Sequence, residues 1–140
     1  DIPEWTWKNF RWTRDFAAGE LTELVAKTED IGRVLAIEPV ERGVSGRMTM
    51  IRFVGENGMF ETGPELAIRK VWAPPLKSSC FIVETEGPPE RPEKFILRGA
   101  GYGHGVGMCQ TGAMGRALAG QDFRQILRHY YQESKLRQLY

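Results

Sequence analysis

Apolar residues alternate with polar ones in several short segments that precede Gln110, and this period of two predicts β-strands. Between residues 20 and 27 the apolar positions recur at helical spacing instead, at Leu21, Leu24 and Val25. The same reasoning, together with turn and cap residues, predicts strands over 5–12, 31–40, 48–54, 59–61, 79–84, 94–98 and 136–140, and further helices over 62–72, 113–118 and 123–130.

The order of these elements, strands first and helices last, predicts an α+β fold. We expect a mixed or antiparallel sheet with short helices, two of them at the C-terminal end. The chain has 140 residues, of which 41% are hydrophobic, and this favours a single domain over residues 1–140 with its own core.

The charge and hydropathy of the chain bear on its partners. A formal net charge of +1 argues against a strongly electrostatic nucleic-acid binder. Apolar runs stay well short of the roughly 20 residues that a membrane-spanning helix needs. We therefore expect no nucleic-acid partner and no membrane segment in this chain, and a polar or weakly charged ligand.

The segment from Gly99 to Gly107 has glycine at every odd position. In an extended chain this pattern leaves bare backbone on one face and places Tyr102 and His104 on the other. Because glycine costs chain entropy and buries no side chain, the pattern indicates close approach of another strand or of a ligand. The spacing matches neither GxGxxG nor GxxxxGK[ST], so nucleotide binding is not favoured.

The two cysteines, Cys80 and Cys109, allow several interpretations. Each fits a small buried hydrophobe, and the pair fits a disulfide. Cys109 near a predicted helix start also fits a nucleophile. A zinc site would use Cys80, His104 and Cys109, with His129 or a water as the fourth ligand. The sequence leaves these alternatives open.

Acidic residues near the segment and tryptophans at the start of the chain are further candidates for function. The acids nearest to it in sequence are Glu93 and Asp122, and Asp122 is explained as a helix cap, so a general acid would have to come from elsewhere. Trp5, Trp7 and Trp12 fit a sugar-stacking face or a core, and we expect the core.

The run from Gly101 to Ala113, GYGHGVGMCQTGA, closely resembles the GxGHGVGMSQxGA signature of the stage II sporulation protein D / LytB (SpoIID/LytB) family. Further landmarks of the family are matched in the same order at 44–47, 68–69, 77–81 and 126–131. The chain departs from the signature at Cys109, where many members have serine.

The resemblance implies a lytic transglycosylase that cleaves MurNAc–GlcNAc bonds in denuded peptidoglycan strands, or a non-catalytic wall-binding module that enhances an amidase. It implies a location in the cell envelope or outside the cell. We expect no cofactor, with zinc as the alternative described above. The family's catalytic glutamate lies in an N-terminal stretch that this chain does not match, so we expect a C-terminal portion of such a domain and assign no catalytic acid. The substrate-binding residues implied are Tyr102, Gly103, His104, Gly105, Gly107 and Gln110.

Overall fold

The computed structural model describes residues 4–138, except for the side chain of Trp5. Within that range the elements are α1 (Glu4–Phe10), β1 (Arg11–Ala17), α2 (Ala18–Ala26), β2 (Val34–Arg42), β3 (Met48–Gly55), β4 (Met59–Thr62), α3 (Glu65–Lys70), β5 (Phe81–Glu86), β6 (Lys94–Ala100), α4 (Gln110–Leu118) and α5 (Phe123–Tyr130).

The strands form two antiparallel sheets, each of three strands among the described residues. One sheet has the order β1-β6-β5, and the other has the order β2-β3-β4. Together with α4 and α5 at the C-terminal end, this arrangement confirms the predicted α+β fold.

The described chain separates into two compact units. The larger unit contains residues 8–104 and therefore both sheets, α2 and α3. The smaller unit contains, of the described chain, residues 4–7 and 105–138. The expectation of a single domain over residues 1–140 stays a prediction.

The core of the larger unit is built around Trp72, which is 1% exposed. Its ring contacts those of Phe16, Phe53 and Phe81 at centroid distances of 6.4, 5.6 and 5.7 Å. Aromatic rings in tilted or edge-on contact contribute more than their buried area alone. Strands of both sheets and the segment after α3 thus meet at one cluster.

The predicted helix over 20–27 is confirmed as α2, although it begins earlier, at Ala18. Leu21, Leu24 and Val25 are buried, as their spacing predicts. The strands predicted over 48–54 and 59–61 are also confirmed, as β3 and β4, and the two pair antiparallel.

The predicted aromatic strand at the start is wrong for residues 4–10, which form α1. Trp7 and Phe10 are 65% and 57% exposed, so their spacing does not mark a buried strand face. Trp12 lies in β1 and is 8% exposed, which confirms its place in the core. The side chain of Trp5 lies outside the described part.

Other predicted bounds also differ from the structure. The helix expected over 62–72 is shorter, from Glu65 to Lys70, because Thr62 pairs with Ile51 at the end of β4 and cannot cap it. The strand expected at 79–84 begins only at Phe81. Residues 136–138 form no strand, and 139–140 lie outside the described residues.

In the smaller unit, α4 and α5 confirm the two predicted C-terminal helices. Gly120 lies between them with φ +84°, in the left-handed region that favours glycine. Of the described helices, none is long and apolar enough to cross a lipid bilayer.

Candidate functional site

Gly99 lies in β6 directly beneath the indole of Trp12. A Cβ atom at Gly99 would overlap that ring, so no side chain fits there. The close approach that the glycine pattern predicts is therefore real at this position, but the approaching group is a tryptophan of the chain itself. Gly99 thus makes room for the packing of Trp12 against β6.

Beyond Ala100 the glycine segment is not the extended strand that the alternation predicts. Gly101, Gly103, Gly105 and Gly107 have φ values of +73°, +81°, +71° and +73°. These are left-handed conformations, which glycine adopts without the steric cost that a Cβ brings. The glycines are present because the backbone needs positive φ at alternate residues, and the boundary between the two units falls between His104 and Gly105.

In the larger unit, hydrogen bonds hold the backbone of the segment at Gly101 and Gly103. Trp12 donates its indole N–H to the carbonyl of Gly101 at 3.1 Å. The Nε of Arg47 donates to the carbonyl of Gly103 at 3.0 Å, and the amide of Gly103 donates to the carbonyl of Lys77 at 2.8 Å. The part of the segment from Gly101 to Gly103 is thus a loop held by specific hydrogen bonds.

Two candidate residues project from this segment toward solvent. Tyr102 is 67% exposed, and His104 is exposed as well. A phenol offers an aromatic face and a hydroxyl, and an imidazole offers a donor and an acceptor. The loop therefore presents one stacking surface and several hydrogen-bonding groups at adjacent positions.

In the smaller unit, two consecutive tyrosines lie against the continuation of the segment. The amide of Met108 donates to the hydroxyl of Tyr131 at 3.2 Å, and a Cβ at Gly107 would lie 3.2 Å from the same oxygen. A Cβ at Gly112 would overlap the hydroxyl of Tyr130. Gly107 and Gly112 thus make room for tyrosines at the end of α5.

Sequence reasoning missed the residues that support the segment. Arg47 and Lys77 each end or begin a stretch matched to the SpoIID/LytB landmarks, and Tyr131 ends another. Their positions within these landmarks were the signal that could have identified them. Only the fold shows which backbone groups of the segment they contact.

Cys109 and Gln110 lie at the start of α4. The Sγ of Cys109 accepts a hydrogen bond from the amide of Gly112 at 3.3 Å, and so Cys109 is the N-cap of the helix. Gln110 is the first helical residue and its side chain is exposed. Cys109 therefore has a structural role as a helix cap, which differs from the roles of buried hydrophobe, nucleophile or metal ligand considered above.

The disulfide alternative is not observed, because Cys80 and Cys109 are both free thiols. Among residues 4–138, no three His, Cys, Asp or Glu side chains are grouped as a metal ion requires. The zinc alternative stays a prediction.

His129, the fourth residue of that alternative, is engaged within the smaller unit. Its Nε2 lies 2.9 Å from Nη2 of Arg116. Because a guanidinium only donates, Nε2 is the acceptor in this contact. The imidazole also meets Tyr130 edge-on at 4.7 Å, so two neighbours fix its orientation.

Comparison with known proteins identifies the class first. A family model described as a domain of unknown function, DUF8618, matches residues 1–107. The chain belongs to this DUF8618 family. The match ends close to residue 104, where the larger unit ends.

Two curated proteins are similar to shorter parts of the chain. An uncharacterized protein of Brachyspira hyodysenteriae is 56% identical over 37 residues, which are 26% of this chain and 10% of that protein. The amidase enhancer of Bacillus subtilis is 53% identical over 38 residues, which are 27% of this chain and 5% of that protein. The aligned part thus spans a tenth or less of the length of these relatives.

Proposed function

We propose that this chain is part of a cell-wall protein and that residues 101–110 contact the sugar chain of peptidoglycan. The observation that carries the proposal is the exposed segment with left-handed glycines at alternate positions, whose first glycines, Gly101 and Gly103, accept hydrogen bonds from Trp12 and Arg47. Its likeness to the SpoIID/LytB signature supports a glycan ligand, and the 53% identity over 38 residues with an amidase enhancer supports a role connected with the cell wall.

The physical case rests on what a neutral polysaccharide needs from a protein surface. Sugar rings stack on aromatic faces, and their hydroxyls exchange hydrogen bonds with amides, carbonyls and polar side chains. The segment offers an exposed ring at Tyr102, an imidazole at His104 and an amide side chain at Gln110. Glycines at 103, 105 and 107 leave the backbone itself approachable.

The finer proposal concerns the reaction of the whole protein. As a lytic transglycosylase it would protonate the glycosidic oxygen with a carboxylic acid while the muramyl 6-hydroxyl bonds to C1. The C1–O bond to the leaving sugar breaks and the leaving oxygen takes the proton of the acid. The carboxylate so formed takes the proton of the 6-hydroxyl, and a 1,6-anhydro end results. In this scheme the chain supplies part of the substrate groove, and no residue of it is assigned as the acid.

A second candidate function is a non-catalytic wall-binding module that enhances an amidase. The observation that favours it is the name of the Bacillus subtilis relative, which is an amidase enhancer. Both candidates require glycan binding and differ in whether any glycosidic bond is broken.

Glycan binding is tested by co-sedimentation of the chain with purified peptidoglycan strands. We expect Tyr102→Ala to weaken binding about three- to tenfold, the size of one lost aromatic contact. Phe123→Ala is the matched control, because Phe123 is also an exposed ring at 59% but lies outside the segment. Gln110→Ala and Gln132→Ala form a second pair of the same kind. Equal binding by variant and control in both pairs would refute the assignment of the segment.

The two candidates are separated by their products. The full-length parent protein is incubated with denuded glycan strands, and 1,6-anhydro ends are sought by mass spectrometry. Their appearance supports the transglycosylase. If strands stay intact while a wall amidase added to whole peptidoglycan is accelerated, the enhancer is supported and the enzymatic proposal fails.

A further inference from the structure

A groove of about 310 Å³ opens on the surface of the larger unit, and its lining ends at Ala100, just before residues 101–104 of the glycine segment. Its rim carries three guanidinium groups, and the residues between them are small or apolar. The lining residues are Arg11, Arg42, Cys80, Phe81, Ile82, Arg98, Gly99 and Ala100.

Strand register explains how two of the arginines meet there. Arg11 of β1 pairs with Ala100 of β6, and Ile82 of β5 pairs with Arg98. Residues 98 and 100 lie on one face of β6, because side chains two apart point to the same side of a strand. Arg11 and Arg98 therefore project from the same face of the sheet, with Ile82 beside them.

The third arginine comes from the end of β2. Arg42 donates from Nη1 to the carbonyl of Gly46 at 2.7 Å and from Nη2 to the carbonyl of Phe81 at 2.8 Å. These two bonds fix the plane of the guanidinium and leave further N–H groups available, since the group has five.

The cations at the rim are only partly neutralised. Arg98 donates to a carboxylate of Glu84 at 2.8 Å, and this hydrogen bond raises the pKa of Arg98. Arg11 donates to the carbonyl of Phe10 at 3.0 Å, and its guanidinium lies 4.1 Å above the Phe10 ring. Within the described residues, neither Arg11 nor Arg42 forms an ion pair with a carboxylate.

The floor of the groove offers an occupant few polar partners. The amide of Cys80 already donates to Oγ of Ser78 at 3.2 Å, and its carbonyl accepts from the amide of Ala100 at 2.8 Å. The carbonyl of Phe81 accepts from Arg42, and Ile82 is a 57% exposed aliphatic side chain. An occupant therefore meets an apolar floor and a cationic rim.

We propose that this groove binds an organic carboxylate, of the kind that an acidic peptide carries. The planar guanidinium matches a carboxylate in two parallel hydrogen bonds, and Arg11 and Arg42 have no competing acid among the described residues. The apolar floor favours an anion with attached hydrocarbon over a free inorganic ion. The proposal uses none of residues 101–110, and so it does not depend on the proposed glycan binding.

The test is a titration of the ¹⁵N-labelled chain with the dipeptide Ala-Glu, followed by NMR at the Cys80, Ile82 and Ala100 amides. We expect Arg11→Gln to weaken binding about tenfold, the typical loss for one charge-assisted hydrogen bond. Arg91→Gln is the matched control, because Arg91 is exposed, pairs with Glu56 and lies outside the groove. Arg11→Lys should retain only part of the wild-type affinity for Ala-Glu, because lysine keeps the positive charge but lacks the planar pair of N–H donors.

A second readout uses the thiol in the groove. In the Cys109→Ser variant, Cys80 is the remaining cysteine, and its alkylation rate is measured with and without Ala-Glu. Protection by Ala-Glu, with none by inorganic phosphate or by Ala-Gln amide, which has no carboxylate, supports the proposal. Equal protection by all three, no protection at all, or equal binding by Arg11→Gln and wild type would overturn it.

Discussion

At the scale of single residues, the five alternate glycines from Gly99 to Gly107 serve two purposes that their spacing does not distinguish. Gly99 gives way to the Trp12 indole, whereas the four that follow adopt positive φ. The sequence alone indicates that a side chain is disfavoured at these five positions. It cannot say why, because the reason at Gly99 is a ring from a residue far away in the chain.

We expect Gly99→Ala to lower the free energy of unfolding by about 1–3 kcal/mol, because an added methyl group in a filled site forces its neighbours to move. The measurement is urea denaturation followed by tryptophan fluorescence and circular dichroism. Gly19→Ala is the control, since a Cβ at Gly19 in α2 meets nothing within 4 Å. A Gly99→Ala variant as stable as the control would contradict the packing described here.

At the scale of elements, the sequence predicts a helix cap correctly at α5, where the partners are local, and wrongly at α3, where strand pairing intervenes. Asp122 and Gln125 form a reciprocal capping box at the start of α5, and the sequence predicts the Asp122 cap because its partners are three residues apart. The predicted start of α3 at residue 62 is wrong because Thr62 belongs to β4. Its pairing with Ile51 depends on a distant part of the chain and is not a local property. Cap residues are therefore readable from sequence only where no strand competes for them.

For α5, we expect Asp122→Ala to destabilise the helix by about 1 kcal/mol, because it removes the acceptor of the Gln125 amide. Asp122→Asn should retain most of that stability, since its side-chain oxygen still caps the helix. Thermal unfolding monitored at 222 nm compares the three proteins. Identical melting curves for Asp122→Ala and wild type would show that the cap does not contribute.

At the scale of the whole molecule, burial is divided unevenly between the two units. The clustered hydrophobic core lies entirely in residues 12–97 and so within the larger unit. The hydrophobic content of the chain predicts that a core exists. The helical spacing in α2 predicts that Leu21, Leu24 and Val25 belong to that core. The larger unit's boundary near residue 104 was not predicted, because the glycine segment that contains it continues unbroken in sequence.

Hydrogen exchange should reveal this unequal division. α2 and α4 have 9 residues each, but α2 has four buried residues and α4 has none. We expect amides of α4 to exchange on the order of a hundredfold faster than those of α2, because local opening of α4 exposes no fully buried residue. Exchange mass spectrometry of the intact chain measures both helices at once. Equal protection of α2 and α4 would mean that α4 gains stability from contacts beyond those described.

The alternating φ signs from Gly101 to Gly107 also have a consequence for chirality. No non-glycine residue among those described has positive φ, so these glycines occupy conformations that belong naturally to D-amino acids. At Gly103 a Cβ meets nothing within 4 Å, and L-alanine there should cost about 1–2 kcal/mol from backbone strain alone. D-alanine, introduced by chemical ligation, should instead stabilise the chain by roughly 0.4–1 kcal/mol, because it restricts the unfolded state. The backbone of the segment thus alternates between conformations typical of L- and of D-amino acids, and glycine is the achiral residue that allows ribosomal synthesis to produce it.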